Sequence, residues 1–319
     1  MPTLVLPLAA VEKRYDELLA GAAGAGCGEY LAGLNPAVRL GILNGLMLER
    51  LEGKLGDLMK IHRESASDWN VTLYTMIFRA MGGSSNKESF TRLARAVPFL
   101  AMSHERGSIV SLEALLLGGA GLLYGYDDDP YIRRLNGEFD LLKRKYNIQP
   151  LRAAVWQTSG YPIGSPTLRL AELASFFANR EFILGKVLEC RRCDDLYTIF
   201  RTSASDFWST HYSPESRSAA RSKTIGADKA QSLGMNLVVP LMFAYGKQTG
   251  DERLQERALS LLESIPYERN SIVRRWQGRG APIDNAFDSQ AILQLNNSYC
   301  TPGRCAECRV GRRRLSENL

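Results

Sequence analysis

Near the C-terminus, Cys300, Cys305 and Cys308 stand in a Cys-x4-Cys-x2-Cys run, Tyr299-Cys300-Thr301-Pro302-Gly303-Arg304-Cys305-Ala306-Glu307-Cys308. Three thiols this close can converge on one ion, because Pro302-Gly303 supplies a turn that brings Cys300 back towards the other two. Neighbouring arginines are expected to lower the thiol pKa values and favour the thiolate that binds metal. Structural zinc and cubane iron–sulfur clusters take four protein ligands, so Cys190 or Cys193, in Glu189-Cys190-Arg191-Arg192-Cys193, is the candidate for the fourth. Three-ligand centres stay open beside this: an iron–sulfur cluster with one exposed iron, or a catalytic zinc holding water. The expected cofactor is zinc or an iron–sulfur cluster, set against three free or redox-active thiols.

The same region is basic in a particular way. From Arg269 to Leu319 the chain carries Arg269, Arg274, Arg275, Arg279, Arg304, Arg309, Arg312, Arg313 and Arg314, no lysine, and the acids Asp284, Asp288, Glu307 and Glu317. A guanidinium makes paired hydrogen bonds to phosphate oxygens, so Arg304, Arg309, Arg312, Arg313 and Arg314 are candidates for contact with DNA or RNA, against a plain solvated tail. Net charge over all 319 residues is only +6, with 45% apolar and 23% charged residues. That composition fits a soluble globular protein and excludes a disordered or collagenous one. No basic start precedes the apolar Leu4 to Val11, and the apolar runs Ala114 to Tyr126 and Gly234 to Gly246 fall short of the roughly 20 residues that span a bilayer. No signal peptide and no membrane span are expected, and paired Cys-x-x-Cys thiols suit a reducing, bacterial-type cytoplasm.

Helices must position these residues, since the 3.6 period dominates. Leu40, Leu43, Met47, Leu51, Leu55 and Leu58 form one stripe; Leu135, Phe139, Leu142 and Tyr146 another; Leu170, Leu173, Ala174 and Phe177 a third; Leu254, Ala258, Leu261, Leu262 and Ile265 a fourth. Asp129-Pro130 and Ser165-Pro166 each place a capping side chain before a proline suited to the first turn. Met235 to Tyr245 is apolar all round with Pro240 in its middle, as in a buried, kinked helix. Only Thr3 to Leu8 reads as extended. The expected fold is mainly α, a multi-helix globular protein with a short cysteine-rich tail. Its expected divisions are a larger helical region over 1–201, a polar and mobile or disordered loop over 202–232, and a C-terminal helical region over 233–319. A single continuous domain is also compatible with the pattern.

Further clusters carry a chemical and a packing reading. Gly118-Gly119-Ala120-Gly121 lacks the Lys-Ser of a phosphate loop and reads as close helix packing. Asp127-Asp128-Asp129 reads as a helix cap rather than a magnesium site. His62, His104 and His211 stand outside any catalytic spacing. Trp208, His211 and Tyr212 read as an aromatic anchor for the polar loop, with base stacking as the alternative. Arg169 is either a buried anion ligand or a surface residue whose stem packs on the core.

Together, several segments resemble the bacterial family known as domain of unknown function 2851. They are Asp68-Trp69 with Leu73-Tyr74; Asn86-Lys87 with Phe90; Leu117 to Leu123; Tyr131 with Leu135, Glu138-Phe139, Leu142 and Lys145-Tyr146; Pro166 to Ala171; Asn236 to Tyr245; and the closing Asn296 to Gly311. Where members of that family have an Arg-Pro pair, this chain has Gly160-Tyr161-Pro162. Longer members begin with a further segment of nuclease-like acidic and histidine motifs, whose end Pro2-Thr3-Leu4 resembles. The resemblance implies that this chain lacks that segment, and it supplies no activity. The sequence therefore supports an accessory, nucleic-acid-associated helical protein with a C-terminal metal site. Its alternatives are a metal-dependent nuclease or redox enzyme, or a scaffold for a protein partner.

Overall fold

A computed structural model describes residues 26–126, 128–157 and 164–316, together with Lys13 and Asp16. The architecture is mainly α, as the periodicity requires. Two compact units are formed, one from residues 1–56 and 259–319 and the other from 57–258. The chain thus divides at different places from the polar loop, and its two ends contribute to one unit.

In the unit of residues 57–258, the helices Trp69–Met81 and Lys87–Ala96 pack against each other. Tyr74, Phe78, Phe176, Phe177 and Phe200 are almost wholly buried, and Tyr74 lies 4.7 Å from Phe78 and 5.4 Å from Phe177, ring centre to ring centre. The Tyr74 hydroxyl donates to the Val97 carbonyl at 2.8 Å, so the core's polar tip is satisfied. The stripe Leu170, Leu173, Ala174 and Phe177 is buried in the helix Pro166–Ala178, and Leu135, Phe139 and Leu142 in the helix Pro130–Lys145. Asp129 caps the latter helix by accepting from the Tyr131 and Ile132 amides, the former at 2.7 Å. Ser165 departs from its expected role: its hydroxyl makes no cap and donates instead to the Tyr212 carbonyl at 2.9 Å. The glycine run packs helices, because a Cβ on Gly118 would enter the Phe139 ring. Pro240 stands, as expected, in the middle of a helical run that is unbroken over 227–249, and a π-turn over Gly234–Val238 just ahead of it accommodates the missing N–H and the bulk of its ring.

The segment 202–232, expected to be structureless, is built from elements. It contains the short helix Asp206–Ser209, a hairpin of His211–Ser213 with Ser216–Arg217, an isolated bridge from Ser203 to Thr224 and the helix Ala227–Leu233. Buried polar anchors replace the missing apolar residues. Trp208 Nε1 and Ser205 Oγ donate to the Glu113 carboxylate at 2.8 and 2.6 Å, and Lys223 Nζ donates to the Trp208 and Ser209 carbonyls at 2.6 and 3.0 Å. His211 stacks on Phe207 at 4.2 Å, the aromatic anchoring expected of this group.

The unit that joins the two ends of the chain contains the helix Cys27–Gly33, the first part of Pro36–Glu64, the last part of Glu252–Ser264, and the helices Ser271–Gln277, Ala286–Leu295 and Arg309–Ser316. Leu43, Met47 and Leu51 bury one side of the long helix, whereas Leu40 is 49% exposed and lies off the stripe. In the terminal helix pair, Trp276 is fully buried and its Nε1 donates to Asn296 Oδ1 at 3.1 Å. No described helix is long and apolar enough to cross a membrane. Thr3 to Leu8, Asp127 and Gly160-Tyr161-Pro162 lie outside the described residues.

Candidate metal centre

The helix Ala286–Leu295 runs into a π-turn over Asn296–Cys300, which delivers Cys300 to the start of the cysteine run. Asn296 seats that turn. Buried to 2% exposure, it accepts on Oδ1 from Arg275 Nη2 at 2.9 Å and from Trp276 Nε1, and its amide donates to Asn297 Oδ1 at 2.9 Å. Glu49, on the long N-terminal helix, holds both flanks of the run: Tyr299 donates its hydroxyl at 2.7 Å and Arg309 its Nε at 3.1 Å. Consecutive turns then carry the chain through Cys305 to Cys308, whose carbonyl accepts the Arg312 amide at 2.8 Å and opens the helix Arg309–Ser316.

The residue that joins the three is Cys27, at the start of the first described helix. Cys27 acts electrostatically on Cys300, Cys305 and Cys308, which also act on one another. Nothing in the sequence marks this thiol, which stands alone in Ala25-Gly26-Cys27-Gly28, far along the chain from the others. Cys190 and Cys193, the expected sources of a fourth ligand, belong to the other unit. There the Cys190 thiol is buried against the Lys186 carbonyl, 3.6 Å away, and burial pushes it up to about 12. Cys193 begins the helix Cys193–Phe200, and its thiol is raised by burial as well.

Close packing sets the positions of both parts of the centre. A Cβ on Gly28 would collide with the Arg279 carbonyl, and one on Gly311 with the Cys305 carbonyl. Glycine at these two positions lets the Cys27 helix approach the Arg279 backbone and the C-terminal helix approach the Cys305 backbone.

Donors suited to thiolates surround the sulfurs. Arg314 Nη1 lies 3.3 Å from Cys27 Sγ, and its guanidinium sits 5.6 Å from the Tyr30 ring centre. Cys308 receives the backbone N–H groups of Gly311 and Val310. Arg279 and Arg314 act to lower Cys300 and Cys305 respectively, as the sequence suggests. The net direction is nevertheless upward. Burial dominates in all three cysteines of the run, neighbouring sulfurs add to it, and Cys300 is pushed up to about 12. The arginines are outweighed because a buried thiolate loses more solvation than one guanidinium returns. Among the described residues, no three His, Cys, Asp or Glu side chains stand as an assembled metal-holding group. The four sulfurs are within electrostatic reach of one another without converging on one point.

The candidate phosphate contacts divide into two groups. Arg304 pairs with Glu307, Arg309 with Glu49, and Arg314 turns inward to Cys27. Arg312 is exposed, its Nε donating to the Ala306 carbonyl at 2.9 Å, and Arg313 is exposed beside it. Arg309, Arg312 and Arg313 follow an i, i+3, i+4 spacing and therefore share one side of the C-terminal helix.

A family model described as Protein of unknown function (DUF2851) matches residues 1–271 of the chain. The match includes Cys27 and ends before Cys300. No curated protein and no solved structure matches the chain at a significant level.

Proposed function

Because the chain belongs to the DUF2851 family, a family of unknown function, its role must be sought in its own residues, and we propose that it is an accessory, nucleic-acid-associated protein with a thiolate metal centre. The centre is made of Cys27, Cys300, Cys305 and Cys308 and takes zinc or an iron–sulfur cluster. The observation that carries this reading is geometric: Arg314, on the helix that follows Cys308, reaches Cys27 Sγ at 3.3 Å, which brings the lone N-terminal thiol to the cysteine run within one unit. Four sulfurs are the donor set that both kinds of centre use. The surrounding donors fit as well: Arg314 at Cys27, and the Val310 and Gly311 amides at Cys308, are partners that orient sulfur ligands and offset their charge. Bound metal supplies the cross-link that a short cysteine-rich tail, with little core of its own, otherwise lacks.

The protein's residues do the remaining work. The π-turn presents Cys300, the turn after Pro302 returns the chain to Cys305, and Cys308 precedes a helix on which Arg309 is held by Glu49 while Arg312 and Arg313 face outward. An arginine face held rigidly in this way meets the phosphates of DNA or RNA without first ordering a flexible tail.

Metal analysis with a visible spectrum, on full-length protein purified without oxygen, tests the centre. About one zinc per chain in a colourless protein, or iron with labile sulfide in a brown one, is expected in the wild type. The metal should be lost in Cys27→Ser and in the triple Cys300→Ser, Cys305→Ser, Cys308→Ser variant, and kept in the Cys190→Ser, Cys193→Ser double variant. Full metal content in Cys27→Ser, or none in the wild type, rejects the four-thiol centre.

The nucleic-acid half has its own measurement. Changing Arg312 and Arg313 to Gln is expected to weaken duplex binding and to flatten the dependence of log affinity on log salt by up to about two. A wild-type protein that binds neither DNA nor RNA, or an unchanged slope in the variant, removes that half and leaves the metal centre standing.

A further inference from the structure

The second unit carries a concentration of positive charge that nothing in the thiol site uses. A cavity of about 510 Å³ opens between the helix Pro166–Ala178 and the segment that leads into Ala227–Leu233. Among the described residues, Arg169, Arg221, Lys223 and Lys229 line it, against two acids, Glu172 and Asp228. Its walls are fixed. Ser165 Oγ donates to the Tyr212 carbonyl, Ser203 Oγ lies 2.8 Å from Thr224 Oγ1, and the Ile225 amide donates to the Thr202 carbonyl at 2.9 Å.

Among the described residues these cations are poorly compensated. Arg169 takes the one buried carboxylate, Glu172, at 2.7 Å. Lys229 Nζ has the neutral Ala80 carbonyl at 3.1 Å as its acceptor and makes no ion pair with a described acid. Lys223 Nζ donates to two carbonyls and to Ser218 Oγ, and sits 4.1 Å from the Tyr212 ring centre, again with no described carboxylate within ion-pair distance. Arg221 is exposed at the rim and makes no ion pair with a described residue. Burial, with Arg169 adding to it and Glu172 opposing, holds Lys229 down to about 8, and burial with Arg221 lowers Lys223. Lys223 is answered by hydrogen bonds, whereas Lys229 keeps donors to spare beside two guanidiniums, a place where an anion is stabilised.

We propose that this cavity binds a small phosphorylated molecule, with Lys229 and Arg169 at the base holding phosphate oxygens and Arg221 closing over them from the rim. Phosphate is the chemistry that fits, because it offers several charged acceptor oxygens to guanidinium and ammonium donors converging from different sides. The volume exceeds what a bare phosphate fills and lies within the range of small-ligand sites, so the phosphate is one end of a larger molecule. Lys223 serves as a positioning residue. Its hydrogen bonds tie the wall together and its charge adds to the field, while its ammonium is already committed to the Trp208 and Ser209 carbonyls. The Glu172 carboxylate orients Arg169 and leaves part of that guanidinium's fork for the ligand.

The test uses full-length protein with inorganic phosphate and AMP as probes, by calorimetry and by thermal melting, with chloride at matched ionic strength as control. Both probes should bind the wild type and raise its melting temperature, AMP the tighter of the two. Arg221→Gln, an exposed change that leaves the fold intact, and Lys229→Met, which keeps the packed stem, should each weaken binding by about tenfold or more. Lys247→Met, an exposed lysine elsewhere in the same unit, should leave it unchanged. Without ligand, Lys229→Met should melt no lower than the wild type, since it removes a partly buried charge that makes no ion pair with a described acid. Phosphate and AMP that stabilise no more than chloride overturn the proposal, and so does binding that survives both cavity variants. Capture of an oligonucleotide through Arg221 and Lys229 with no response to AMP overturns the small ligand.

Discussion

Replacing Glu113 with alanine is expected to destabilise the protein by about 4 kcal/mol, because a single buried carboxylate serves three donors. Glu113 is fully buried immediately before the π-turn Ala114–Gly118. Its Oε1 accepts from Ser205 Oγ, and its Oε2 from Trp208 Nε1 and from the Tyr131 hydroxyl at 2.9 Å. Alanine would strand the buried indole away from water, take the acceptor from the half-buried phenol and serine, and release the polar segment 202–232 from its anchor. A melting temperature lower by roughly 10 °C checks this, together with faster proteolysis near Asp206 and Lys223. Glutamine is the control. Its carbonyl oxygen can still accept from Trp208 and Tyr131, and the Ser205 hydroxyl can turn to accept from the new amide, so the loss should be near 1 kcal/mol.

That glutamine variant also carries a pH signature. Burial raises the Glu113 pKa above its ordinary 4.5, despite the three donors that oppose the shift. Between the unfolded and folded pKa values the native protein holds more protons than the unfolded chain, so this group's contribution to stability declines as pH rises through that interval. Glutamine has no such dependence. The stability gap between wild type and Glu113→Gln should therefore be widest below pH 4.5 and narrow above it; a gap that widens with rising pH contradicts the assignment.

The second large effect concerns Gly28 and Gly311. Valine at either position places a branched side chain where the Arg279 or Cys305 carbonyl now lies, at a cost of about 2 to 3 kcal/mol. Backbone, not a flexible side chain, must yield in both cases, and the backbone that yields leads directly to a cysteine. Gly28→Val should displace Cys27, and Gly311→Val should part Cys305 from the helix that Cys308 begins. Two separable readouts follow. The melting temperature in the presence of chelator reports the packing cost alone, whereas metal content after reconstitution reports the thiol geometry. Metal retained in full by both valine variants, with the stability loss present, would confine the role of these glycines to packing.

The main-α class was legible because helix formation is a local matter. Apolar residues three and four apart mark a buried face whatever it packs against, and Leu254, Ala258, Leu261, Leu262 and Ile265 are all buried as their spacing requires. Asp129 caps its helix for the same reason, since the groups it satisfies are two and three residues away. The polar segment 202–232 misled because its stability is not local. Few apolar residues suggest disorder, but Glu113 and Lys223 supply buried hydrogen bonds, and the partners of Glu113 stand far off in the sequence.

The thiol site shows the same division. Cysteine spacing alone placed Cys300, Cys305 and Cys308 in one short stretch, because near neighbours in the chain stay near in any fold. Cys27 could enter only through tertiary structure, where a helix near one end of the chain lies against the Arg279 backbone and Gly28 permits the approach. The arginines divide likewise. Their number and absence of lysine are properties of the sequence, but burial decided that Arg314 serves a sulfur while Arg312 and Arg313 stay exposed. The sequence by itself determined which residues could do chemistry and which local elements would carry them. Only the tertiary structure decided which of them meet, because a contact between distant residues depends on the packing of everything that lies between.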